Sequence, residues 1–172
     1  DSLPKSTLHD EALQAVLSRS VGMDPMFALD QADQLKGERR EWLVARASRE
    51  LAERNPAAAI EWVERKLQGK SYQRALGEVA EELAGLDPKM AESLLPKLTE
   101  PGKRNELLGK LGGLRAVDGV EGALEWLTTL PEADQSGALR GIGDQWARID
   151  PEAAAGFALE MSDAGNQRNL AR

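Results

Sequence analysis

The sequence predicts an all-α protein, an α/α superhelix or solenoid of about four to five antiparallel helical hairpins. Three observations carry that prediction. An Asp-Pro or Asn-Pro step recurs at Asp24-Pro25, Asn55-Pro56, Asp87-Pro88 and Asp150-Pro151, with Asp118-Gly119 filling the gap. The intervals are 55−24 = 31, 87−55 = 32, 118−87 = 31 and 150−118 = 32 residues, and a fixed period in that range marks stacked repeats. Composition is that of helices, rich in Ala, Leu, Glu, Arg, Lys and Gln and lacking strand-like runs of Val, Ile and Thr. Finally, apolar residues follow and precede every step at spacings of 3, 4 and 7, one face of a helix.

The first helix of each hairpin, helix A, starts at the step itself. The Asp or Asn side chain accepts from free amides of the first turn, and the proline that follows has no N–H to lose and a φ suited to a helix. Asp118 lacks that proline, so Glu121 is expected to complete a capping box there. Four residues after each step the stripe always holds Ala: Ala28, Ala59, Ala91, Ala154 and, after a one-residue insertion, Ala123. A small residue there permits close helix approach. Three residues further on come Gln31, Trp62, Leu94, Trp126 and Phe157.

Helix B ends at the next step. Counting back 4, 7, 8 and 11 residues gives Leu51, Ser48, Ala47 and Val44, then Leu83, Ala80, Val79 and Leu76. The next two sets are Leu114, Leu111, Lys110, Leu107 and Trp146, Gly143, Ile142, Leu139. Polar breaks at Gly37-Glu38, Gln68 to Ser71, Glu100 to Lys103 and Pro131 to Asp134 are turns, which leaves about a dozen residues per helix. The repeats therefore run approximately 24–54, 55–86, 87–117 and 118–149 within a single domain, 1–172. Partial repeats occupy 6–23, with Leu13, Val16 and Leu17 on a B stripe, and 150–172, where a fifth B helix begins near Asn166. Such hairpins bury their apolar faces only against neighbours. Without polar capping repeats at either end, the sequence is expected to be a fragment of a longer array.

The formal charge is 22−29 = −7 with a pI near 4.9. That balance disfavours nucleic acid, which requires a basic stripe, and anionic membrane surfaces; it favours a basic partner electrostatically. No apolar run approaches a membrane span, so direct membrane insertion is not expected. The absence of cysteine excludes disulfides, thiolate metal sites and cysteine nucleophiles. A start at Asp1 rather than Met points to a removed leader or an excised piece, which leaves an extracytoplasmic and a cytoplasmic location both open.

No catalytic set is found. His9 is the lone histidine, with no nucleophile paired to it, no EF-hand-like loop is present, and the glycines of Gly109 to Gly113 lack the Lys-Ser/Thr ending of a phosphate loop. No cofactor or metal is expected. Trp62, Trp126 and Trp146 lie on the stripes and are expected in the core; Trp42 lies off them and is the expected exposed anchor. Basic residues recur near the B-helix starts: Arg39 and Arg40, Arg74, Lys103 and Arg104, and Arg168; the fourth repeat breaks the pattern, with Arg140 a turn later. Such a row can grip carboxylates of a peptide or pair with neighbouring Asp and Glu. Trp42, Arg39, Arg40, Arg74, Arg104 and Arg168 are the candidate partner contacts.

The segments Leu83-Ala84-Gly85-Leu86-Asp87-Pro88 and Trp146-Ala147-Arg148-Ile149-Asp150-Pro151 resemble the helix-B ending of tetratricopeptide repeats. The period is 31–32 rather than 34, and Ala59–Trp62 and Ala123–Trp126 replace the family's helix-A pattern. The chain is thus more similar to divergent bacterial helical repeats with a DPxxAxxW signature. The resemblance implies a non-catalytic superhelical scaffold that binds proteins or peptides. Two other classes stand beside it: an α/α-toroid enzyme with converging carboxylates in a deep pocket, and a structural spacer in an envelope-associated protein.

Overall fold

The computed structural model describes the backbone of residues 5–170 and side chains from 9 to 161. All elements among the described residues are helical, without a strand. The chain divides into two compact units, Asp1–Arg104 and Asn105–Arg172. The first contains α1 (Lys5–Ser20), α2 (Pro25–Asp30), α3 (Gly37–Arg54), α4 (Pro56–Lys66), α5 (Gly69–Leu86) and α6 (Pro88–Leu94). Short 3-10 turns, Ala32–Gln34 and Leu95–Lys97, lengthen α2 and α6. The second contains most of α7 (Pro101–Asp118), then α8 (Val120–Thr129), α9 (Glu132–Ile149) and α10 (Pro151–Leu170).

One residue both ends a B helix and caps the next A helix. The amides of Asp24, Asn55, Asp87 and Asp150 donate back to the carbonyls of Ser20, Leu51, Leu83 and Trp146 at 2.7–2.8 Å. Their side chains accept from the amides of Phe27, Ala58, Met90 and Ala153 at 2.9–3.1 Å. All four adopt nearly one conformation, from φ −143°, ψ 87° at Asp24 to φ −149°, ψ 85° at Asn55. Proline at the next position excludes helical dihedrals for its predecessor, so the chain breaks helix there without a linker.

The fourth step departs from the sequence reading. Gly119, not Asp118, is the N-cap of α8, and no side chain caps it. The Gly119 amide closes α7 on the Arg115 carbonyl, and its own carbonyl accepts from Ala123. With Gly119 as the origin the supposed insertion vanishes: the intervals become 119−87 = 32 and 150−119 = 31. The B stripe of α7 then reads Arg115, Gly112, Leu111 and Leu108. Leu108, Leu111 and Gly112 are buried, whereas Leu114 and Lys110 of the expected stripe are exposed.

The B helices α3, α5, α7 and α9 are 18 residues long each, not about a dozen. Most of the expected turn residues are the first helical turn. Two extended residues followed by a left-handed glycine, Gly37 at φ 58° and Gly69 at φ 57°, complete the reversal into α3 and α5, a conformation glycine adopts without steric cost.

In the first unit α3 packs on α2, α4 and α5, and α5 packs on α4 and α6. Val44, Ala47, Ser48, Leu76, Val79 and Ala80 are at most 1% exposed, as the stripe requires. On α1 Leu17 is buried, but Val16 is exposed: it sits one position from the face turned to α2 and α3. Polar bonds join residues about one period apart. The Trp62 indole donates to Asp30, Ser71 to Glu41, Arg49 pairs with Glu81, and Arg54 donates to the carbonyls of Gly22 and Met23.

In the second unit α9 packs on α8 and α10, around a small core of Ala116, Ala123 and Ile142 flanked by Leu124 and Leu127. The glycines of α7 serve close packing. A Cβ at Gly112 would lie 2.5 Å from the Ala138 carbonyl oxygen, and one at Gly141 would overlap the Gly109 carbonyl.

Candidate functional site

An open groove of about 1160 Å³ crosses the first unit where α3, α5 and the start of α7 lie side by side. The left-handed turn at Gly69 brings Lys70, Ser71 and Arg74 of α5 to its wall, Glu41 enters from α3, and Lys103 from α7. Gln73 fixes one rim. Its amide nitrogen donates to the Lys97 carbonyl at 3.0 Å, and its oxygen accepts from the amides of Thr99 and Glu100 at 2.7 and 3.0 Å. A loop that would otherwise expose unsatisfied backbone groups is thereby held by one side chain.

Most charges of the groove and its flank are matched. Glu41 accepts from Ser71 Oγ at 2.8 Å and from Arg40 Nη1 at 3.1 Å. Arg49 approaches Glu78 at 2.8 Å and Glu81 at 3.4 Å, while Lys103 Nζ stands 3.5 Å from both carboxylates. Two acids and two cations thus form one charge cluster, with Glu82 beside it at 3.9 Å from Arg49. At the edge, burial pushes the Tyr72 hydroxyl above its ordinary pKa and nearby Glu64 adds to the effect, against a smaller opposing pull from Lys97. The Lys97 ammonium is raised chiefly by its hydrogen bond to Glu64.

The arginine row separates into distinct roles. Arg40 is committed to Asp33, at 2.9 and 3.0 Å, and to Glu41. Arg104 donates to the carbonyls of Leu95 and Leu98, closing the orphan acceptors at the end of an A helix. Gln135 does the same for the Leu130 carbonyl at 3.1 Å, so in α7 and α9 the fourth residue of the B helix caps the helix before it. Arg74 is exposed and lines the groove; no ion pair or hydrogen bond engages it among the described residues. Arg39 is likewise exposed and unengaged, but it does not line the groove. The side chain of Arg168 lies outside the described residues.

The tryptophans sort by position. Trp62 is 7% exposed, and Trp126 and Trp146 are half-buried. Trp126 carries the Arg115 guanidinium 4.6 Å from its ring centroid. Trp42 is 44% exposed with Arg46 stacked 5.3 Å above it; it is not part of the groove wall. Sequence reasoning missed Gln73 and Ser71, and the signal was faint: Ser71 sits in a stretch read as a turn, where polar residues are ordinary, and Gln73 lies just beyond it, off the apolar stripe.

Among the described residues no three His, Cys, Asp or Glu side chains are grouped to hold a metal ion, and no helix is long and apolar enough to cross a membrane. No protein-family model, no curated protein and no solved structure matches the chain.

Proposed function

We propose that the chain is a non-catalytic helical-repeat scaffold, similar to divergent tetratricopeptide-like repeats, whose hairpins stack within each unit as an α/α superhelix. Its groove takes up a carboxylate-bearing peptide. The stacking is supported by the side-chain bonds that join residues one period apart, from Trp62 to Asp30 and from Ser71 to Glu41. The observation that carries the binding role is Arg74, a cation left unengaged on a groove wall where two of the three lining carboxylates, Glu41 and Glu78, are already paired and the third, Glu100, is exposed. An acidic side chain or C-terminal carboxylate entering there meets a planar, bidentate donor without displacing an existing pair. Ion-paired Glu78 and Glu81 differ from the converging acids, one protonated and one ionised, that a glycosidase-type centre requires.

The test is a peptide array of acidic, neutral and basic extended sequences probed with the whole chain. Acidic peptides are expected to be retained, with at least tenfold weaker retention by Arg74→Glu and little change for Arg39→Glu. Retention that ignores peptide charge, or survives Arg74→Glu, would sink this reading.

A further inference from the structure

Of the five steps that separate the hairpins, four place proline after the Asp or Asn and one places glycine, Asp118-Gly119. The difference is chemical as well as conformational. A backbone amide nitrogen that loses its proton can attack the side-chain carbonyl carbon of the residue before it and close a five-membered imide. Proline nitrogen has no proton to lose, so Asp24, Asn55, Asp87 and Asp150 are closed to this reaction. Their side-chain oxygens are also held, each by an amide three residues on. Asp118-Gly119 is the only Asp-Gly pair in the sequence, and no Asn-Gly pair occurs.

The reacting atoms at this step are accessible. Asp118 and Gly119 are both exposed, and with Arg115 and Gly122 they line an open hollow of about 310 Å³. The Asp118 carboxylate caps nothing, because α8 starts at Gly119 without a side-chain cap. Among the described residues no hydrogen bond or ion pair engages it. Beyond its chain neighbours, no atom lies within 4 Å of the place a Gly119 Cβ would take, so nothing crowds the nitrogen from that side. One bond opposes the reaction. The Gly119 amide donates to the Arg115 carbonyl at 3.1 Å and keeps Asp118 in the last turn of α7. Last turns open at little free-energy cost, and the helix beyond this one, α8, buries only Ala123.

We propose that Asp118-Gly119 is a site of spontaneous isomerisation, where the opened last turn of α7 converts to an isoaspartyl linkage. The Gly119 nitrogen bonds to Cγ of Asp118, and the amide proton leaves with the hydroxyl of the protonated carboxyl as water. Water then opens the imide. Addition at Cγ restores Asp118; addition at the main-chain carbonyl routes the chain through Cγ and frees the α-carboxylate. Composition is unchanged, and no oxidant or cofactor takes part. The isomer inserts one methylene into the backbone between α7 and α8, which shifts the Gly119 amide out of register with the Arg115 carbonyl. The change is independent of Arg74 and of the peptide-binding reading.

The experiment ages the full-length chain for several weeks at neutral pH and body temperature, digests it with trypsin, and resolves fragment 116–140 by liquid chromatography and mass spectrometry. A second peak of unchanged mass is expected, accepting radioactive methyl from S-adenosylmethionine through an isoaspartyl methyltransferase. Fragmentation should place it at Asp118, at least tenfold above any other Asp. Asp118→Glu would need a six-membered ring, and the methyl of Gly119→Ala shields the nitrogen. Each should lower the yield at least tenfold, with folding checked by circular dichroism. Isomer that forms in urea but not in the folded chain would overturn the proposal, because the α7 turn would then protect the step. Isomer spread evenly over the Asp residues, or an unchanged yield in Asp118→Glu, would overturn it as well.

Discussion

Seven residues before the caps from Asn55 onward the repeat places a small side chain: Ser48, Ala80, Gly112 and, half-buried, Gly143. Ser48 is completely buried, and its hydroxyl has no hydrogen-bond partner among the described residues. An unpaired buried hydroxyl costs more than the methyl that would replace it, and Ala is also the better helix former. Ser48→Ala is therefore expected to raise the unfolding free energy by about 1 kcal/mol in a urea titration; a loss of stability would mean that the hydroxyl is engaged. At this scale the sequence was readable where a residue's role follows from register, as for Trp62 in the core and Trp42 outside it. It was opaque where the role follows from which neighbour lies within reach. Arg40, Arg74 and Arg104 share a composition signal, yet one is ion-paired, one unengaged and one caps carbonyls. Reach depends on the loop before the helix, which periodicity does not describe.

Among the elements, the A-helix starts were legible because one dipeptide does two jobs. Pro fixes the break, and Asp or Asn satisfies an amide that the break would orphan. The B helices were longer than read because their first turns are polar, as solvent-facing first turns are, and polarity alone does not separate a turn from a helix start. The fourth step shows how the error arises: Asp118 has the right chemistry, but the chain remains helical through it and caps at Gly119. This difference is measurable. Asp87→Ala removes a side-chain cap at 3.0 Å and is expected to cost about 1 kcal/mol. Asp118→Ala removes no cap of α8 and should stay within roughly 0.5 kcal/mol of the parent. Equal losses at both positions, measured by thermal unfolding, would restore Asp118 as the cap.

At the scale of the whole molecule the period was the clearest property of the sequence, but a period says nothing of how evenly burial is distributed along it. Buried apolar side chains crowd α3 and α5, six each, whereas α8 buries only Ala123 and α9 only Ala138 and Ile142. Local opening free energy follows the apolar contacts an element must break, so stability should descend along the chain although the repeat does not change. Native-state hydrogen exchange is the direct measurement. The slowest amides are expected in α3 and α5, with those of α8 at least tenfold faster; uniform protection would show that burial does not set the local stability.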